Sequence, residues 1–214
     1  MKFQEDMVYK NLFYRLIFSL LLFLVYLITL FNSYLLFIIG TFIYLIIFYE
    51  CFKNFKKHFY LIIFYLSFSI FCFYSYFFYF FSTYIFNILM LTIIIFDSFS
   101  YFVGLLFGKR YIVKKISPKK SLEGYLGGIF FTNIIFINYF LFIEDTLNVG
   151  HLTIFINITI LFSIIGDLFQ SFFKRKNNLK DSSSFLPGHG GVFDRFDSFI
   201  SSIIFLLFYS VLNL

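Results

Sequence analysis

The sequence predicts an all-α, polytopic integral membrane protein with about seven transmembrane helices, and three observations carry that reading. Hydrophobic residues fill 61% of the 214 positions and charged ones only 13%, with a mean hydropathy of +0.90. A soluble domain of this size has no core large enough to hide that much apolar surface. The apolar residues also come in continuous runs, many near the ~20 residues a helix needs to cross a ~30 Å hydrocarbon layer. These runs lack the in–out alternation that a barrel imposes on its strands, so helices are favoured.

Seven runs follow in order: Tyr14 to Phe31, Leu35 to Tyr49, Phe59 to Phe81, Tyr84 to Phe107, Tyr125 to Ile143, Leu152 to Phe173 and Phe196 to Leu212. The first is too long for a cleavable signal and reads as a retained anchor. The second is short and breaks from the first at Asn32-Ser33, a tight turn. Lys2, Lys10 and Arg15 precede or open the first run, and Lys53, Lys56 and Lys57 follow the second. Six more cations lie from Lys109 to Lys120, four from Lys174 to Lys180, and Arg195 opens the last run. With seven crossings all 17 fall on one side, opposite Glu144 and Asp145. The positive-inside rule then places the N-terminus in the cytosol.

No linker, repeat or second domain is visible, so residues 1–214 are read as a single membrane domain. Within it, 1–83 supply scaffold helices, and 84–214 hold the chemistry-bearing helices and two cytosolic basic loops, Gly108 to Gly124 and Lys174 to Gly191. The net charge of +6 describes that one surface, suited to anionic headgroups or a nucleotide. Nothing resembles a nucleic-acid reading module. Cys51 and Cys72 lack metal-type spacing, which speaks against a disulfide or zinc site. With no Trp and no Ala, close helix contacts must use Gly and Ser.

A few polar residues stand out against this background. Asp97 is near the middle of the fourth run, where a carboxylate costs ~2.5–3.5 kcal/mol. Helical spacing puts it on a stripe with Tyr101, Gly104 and Gly108. It is either a structural carboxylate bonded to a neighbouring helix or part of a site. Gly166-Asp167 comes late in the sixth run, with Asp167, Ser171 and Lys174 on one face. Asp194 and Asp197 are three apart at the start of the last helix. They read as helix caps or, with Asp167, as oxygen ligands for a hard cation such as Mg²⁺, which favours one or two carboxylates plus phosphates. Pro187-Gly188-His189-Gly190-Gly191 forms a tight turn whose backbone N–H groups can approach a phosphate. His189 reads as a general base or, preferably, a phosphate-positioning residue. The paired Lys119 and Lys120 are either a solvated positive-inside loop or phosphate ligands.

Together these residues resemble the CDP-diacylglycerol synthases (phosphatidate cytidylyltransferases). The matching signature runs through Ser171, Lys174, Arg175, Lys180, Asp181, Ser183, Pro187, His189, Gly190, Gly191, Asp194, Arg195 and Asp197. Upstream, Asp97, Tyr101, Gly104, Phe107, Gly108 and Lys109, then Ser117-Pro118-Lys119-Lys120 with Glu123-Gly124, extend the likeness over about half the chain. Ser100 and Leu122 depart from it, standing where the family often has Ala and Trp, and the N-terminal helices match only in being hydrophobic.

The resemblance implies cytidylyl transfer from CTP to phosphatidic acid at the cytosolic face of a bacterial inner membrane. The implied catalytic set is Asp97, Lys174, Arg175, Lys180, Asp181, His189 and Arg195. Ser171, Lys119, Lys120, Gly190 and Gly191 are the implied substrate-binding set. Asp167, Asp194 and Asp197 would hold Mg²⁺, with room for a second cation. Membrane lipids are further expected partners, and a homodimer is compatible. Two rivals remain: a CTP-dependent lipid kinase that passes on the γ-phosphoryl group, and a transporter using Asp97 and Asp167 as an ion path.

Overall fold

The computed structural model describes residue 26 and residues 32–112, 116–117, 120–143, 149–186 and 190–212. Most of the first run, Lys119, Glu144, Asp145 and His189 lie outside them, and with them the evidence for a seventh span. Among the described residues there are six helices and no strand: α1 (Ser33–Asn54), α2 (Phe59–Tyr79), α3 (Thr83–Phe107), α4 (Leu122–Ile143), α5 (Val149–Lys176) and α6 (Phe193–Leu212). Five of them, α1, α2, α3, α5 and α6, are long and apolar enough to cross a membrane. The chain is therefore an all-helical polytopic protein. Its contacts divide it into two compact units: Met1–Ile70 with Phe173–Phe196, and Phe71–Phe172 with Asp197–Leu214.

In the first unit α1 begins on Asn32, whose side-chain oxygen accepts the N–H groups of Tyr34 (3.0 Å) and Leu35 (3.3 Å). This satisfies donors that a helix start leaves orphaned. The helix runs five residues beyond the apolar run, to Asn54, because its last turn buries Glu50 and Cys51. Buried Tyr44 meets Ser69 of α2 at 2.5 Å between hydroxyls. The α1–α2 turn passes through His58 in the left-handed region (φ 57°). Asn177 clamps that turn, accepting from the N–H groups of Lys56 (2.8 Å) and Lys57 (2.6 Å) and donating to the Lys57 carbonyl (3.0 Å). The loop after α5 is thereby fixed to the end of α1.

In the second unit α3 and α4 pack along each other through small residues. A Cβ on Gly124 would come within 2.7 Å of the Ser100 carbonyl and 3.1 Å of Gly104 Cα. Gly127 backs onto Val103, and Gly128 onto Phe96 and Ser100. α4 and α5 exchange amide hydrogen bonds between Asn133 and Asn157 (3.1 and 2.8 Å), a contact suited to a medium with no competing water. Gly166 of α5 abuts Ser201 of α6, whose hydroxyl donates to the Phe162 carbonyl at 2.5 Å. The loop between α3 and α4 is tied to its exit: Glu123 accepts the N–H groups of Lys109 and Arg110, both at 3.1 Å, and the Leu122 N–H donates to the Arg110 carbonyl at 2.7 Å.

Candidate active site

Two clusters of acidic and basic side chains emerge, one in each unit. The second unit gathers Asp97 from α3, Lys120 from the loop before α4, Asp167 from α5 and Asp197 from α6. Lys120 Nζ lies 2.6 Å from Asp167 Oδ2 and 5.8 Å from the centre of the Tyr125 ring. Asp97 is in electrostatic reach of Lys120 and Asp167, and it accepts a hydrogen bond from the Ser198 side chain. Asp197 interacts with Asp167, Lys120 and Asp97, and its Oδ1 accepts the Ser198 N–H at 2.9 Å. Burial works against the Lys120 ammonium, yet Asp167, Tyr125 and Asp97 outweigh it and raise its pKa. The lysine therefore stays charged.

Three carboxylates thus share one ammonium. Like charges held together in a poorly hydrated place attract a cation, and their oxygens are the donors that Mg²⁺ prefers. Among the described residues no three His, Cys, Asp or Glu side chains form a ready-made metal cage. A pair of carboxylates completed by substrate phosphates needs none, so this donor set fits a magnesium ion that arrives with a nucleotide.

The first unit builds its cluster on Asp194, in the first turn of α6. Its Oδ1 is 2.7 Å from Lys174 Nζ. Its Oδ2 accepts from the N–H of Ser182 (2.7 Å), the hydroxyl of Ser182 (3.1 Å) and the N–H of Gly191 (3.0 Å). These donors lie in the loop before α6, so Asp194 ties that loop to the helix start, together with an ion pair. Gly190 takes φ +82°, and a Cβ there would approach Asp194 Oδ2 to 2.8 Å. A side chain on Gly191 would overlap the Ser182 hydroxyl. Both glycines are required by how closely the loop wraps the carboxylate.

The remaining expected residues are distributed around these clusters. Ser171 is buried on α5. Arg175 donates to the Leu179 carbonyl at 3.0 Å. Lys180, Asp181 and Arg195 are exposed, with Asp181 on the wall of a cavity of about 420 Å³ in the first unit. Lys119 and His189 fall outside the described residues. Tyr101, expected on the Asp97 stripe, is 67% exposed on the outside of α3, whereas Gly104 and Gly108 face Ser121.

Sequence reasoning missed Glu50. It is 1% exposed and accepts four hydrogen bonds, from Ser182, Ser183, Val192 and Phe193. A signal was available: it is the one acid between Asp6 and Asp97, in the final turn of an apolar helix where a lone carboxylate is costly.

These features define a polytopic helical membrane protein with acidic clusters countered by lysines. The chain belongs to the Cytidylyltransferase family, which it matches over residues 2–213. It is 40% identical over 117 residues to the phosphatidate cytidylyltransferase of Haemophilus influenzae, covering 53% of this chain and 41% of that protein. It is 42% identical over 117 residues to that of Staphylococcus aureus (55% and 44%). Against that of Thermotoga maritima it is 39% identical over 121 residues (53% and 45%). The matched stretch spans less than half the length of these relatives.

Proposed function

We propose that the chain is a CTP:phosphatidate cytidylyltransferase, a metal-dependent enzyme that makes CDP-diacylglycerol and pyrophosphate for phospholipid synthesis. The observation that carries this is the cluster of Asp97, Asp167 and Asp197 around Lys120, in a chain of the Cytidylyltransferase family. A phosphate oxygen of phosphatidic acid attacks the α-phosphorus of CTP. The bond from that phosphorus to the bridging oxygen of the β-phosphate breaks, and pyrophosphate leaves. The attacking phosphate is already anionic near neutral pH, so positioning and charge screening matter more than a base.

Asp167 and Asp197 would hold Mg²⁺, with Asp194, three residues earlier on the same helix, as the third ligand the resemblance implies. Bound there, the ion would neutralise charge on the triphosphate. Lys120, Lys174, Arg175, Lys180 and Arg195 would receive the phosphates, Arg being the better bidentate partner, and Lys119 would join Lys120. Ser171 and the turn at His189, Gly190 and Gly191 would shape the phosphate-binding loop, with Asp181 beside it. The basic loops would face the cytosol of a bacterium, as their charge requires.

The leaving group decides the reading. Purified protein supplied with CTP and phosphatidic acid is expected to release pyrophosphate in step with a lipid-soluble cytidine product. Release of CDP, with phosphate moved to the lipid, would make it a kinase instead.

A further inference from the structure

Glu50 lies at the end of α1, remote in sequence from every residue it binds. Each oxygen takes one hydroxyl and one backbone N–H. Oε1 accepts from Ser183 Oγ (2.7 Å) and Val192 N (2.8 Å), and Oε2 from Phe193 N (3.0 Å) and from Ser182 Oγ (3.1 Å), whose one proton is shared with Asp194 Oδ2 at the same distance. Asn54, one turn later, donates to the Ser182 carbonyl at 2.7 Å. Val192 and Phe193 open α6, where N–H groups lack intrahelical partners. The helix that carries Asp194 and Asp197 is thus capped at its start by a carboxylate from α1. The same 181–185 loop walls the cavity of about 420 Å³ that Tyr49, Glu50, Lys53 and Asn54 also line.

The chemistry requires an acid there. Hydroxyls can turn to accept or donate, but the two amide N–H groups can only donate, and they fall on different oxygens. A glutamine would necessarily face one of them with its own NH₂. Gly191 is bound to the same arrangement, because a Cβ on it would come within 2.7 Å of Glu50 Oε2.

We propose that Glu50 is a positioning residue for the cytidylyl-transfer site: it sets the register of the 182–193 segment and so the placement of the start of α6, the helix that carries Asp194 and Asp197. This rests on the proposed function. The test compares wild type with Glu50→Gln and with Ile47→Ala, a packing defect at a buried position of the same helix. In Glu50→Gln, amide exchange at Val192 and Phe193 is expected to accelerate. The Mg²⁺ concentration for half-maximal rate should rise about tenfold, as when a group supporting a metal ligand is lost. The KM for phosphatidic acid should not change. Ile47→Ala should lower thermal stability and leave the Mg²⁺ dependence at the wild-type value.

Wild-type exchange and Mg²⁺ dependence in Glu50→Gln would overturn the proposal, as would an equal Mg²⁺ shift in Ile47→Ala. Should the wild-type chain make no cytidine lipid, the functional reading fails, and the exchange rates at Val192 and Phe193 alone decide whether Glu50 holds the segment.

Discussion

At 2.6 Å from Asp167, with Asp97 and Asp197 in reach, Lys120 is a counter-ion of the second unit's acidic cluster. Breaking a fully buried pair costs ~3–5 kcal/mol. With the Lys120 side chain 35% exposed, solvent screening reduces the expected loss in Lys120→Met to about 1–2 kcal/mol. Its pKa is raised in the fold, so its stabilisation is fully present below the unfolded value of ~10.4 and fades as pH rises through the folded one. The melting-temperature gap between wild type and Lys120→Met, measured in detergent, should stay constant from about pH 7 to 9. Asp197→Asn should act in the opposite sense on stability. Relieving one of three crowded carboxylates is expected to add ~0.5–2 kcal/mol, while kcat/KM falls ~10²–10³-fold. Joint thermal and kinetic measurement checks both. A variant that is both less stable and fully active would place Asp197 outside the site.

Residue types were legible where chemistry makes them rare. Asp97 and Asp167 stood out because carboxylates are costly in an apolar run, and the structure brings both to Lys120. Partners were less legible. The sequence leaves Lys120 as a solvated loop lysine or a phosphate ligand, and its pairing with Asp167, across 47 residues, depends on how the helices meet. Glu50 escaped because its partners are 132–143 residues away. No local pattern encodes such a distance.

Element boundaries followed from the runs because lipid imposes a length and every backbone group must be paired within it. Where the helices extend further, capping and burial explain it: Asn32 starts α1, Ser82 starts α3, and Glu50 draws the end of α1 inward. The seam of α3 and α4 was foreseen only as a need for small residues. Its register, Gly104 against Gly124 and Gly128 against Phe96, emerges from packing. Because Gly124 meets backbone atoms that cannot yield, Gly124→Ala should cost ~1–3 kcal/mol by overpacking. Leu126→Ala, on the exposed side of the same helix, should stay within about 0.5 kcal/mol. Thermal unfolding of the two variants side by side checks the seam.

At the scale of the whole molecule, α6 contributes Asp194 to one cluster and Asp197 to the other, three residues apart in a single helical turn. Two carboxylates so placed place different demands on the chain: one is saturated by Lys174 and backbone donors, the other shares a single ammonium with two further acids. The proposed chemistry uses the second kind of site, where a cation is needed. Composition and charge runs predict a membrane protein with its cations on one face; the division of labour along α6 needs coordinates. The most direct test supplies the purified chain with phosphatidic acid and CTP labelled at the α-phosphate, with and without Mg²⁺, beside Asp197→Asn. The account predicts label in the lipid phase only with Mg²⁺ and wild-type protein. Equal labelling by Asp197→Asn, or labelling indifferent to Mg²⁺, would contradict it.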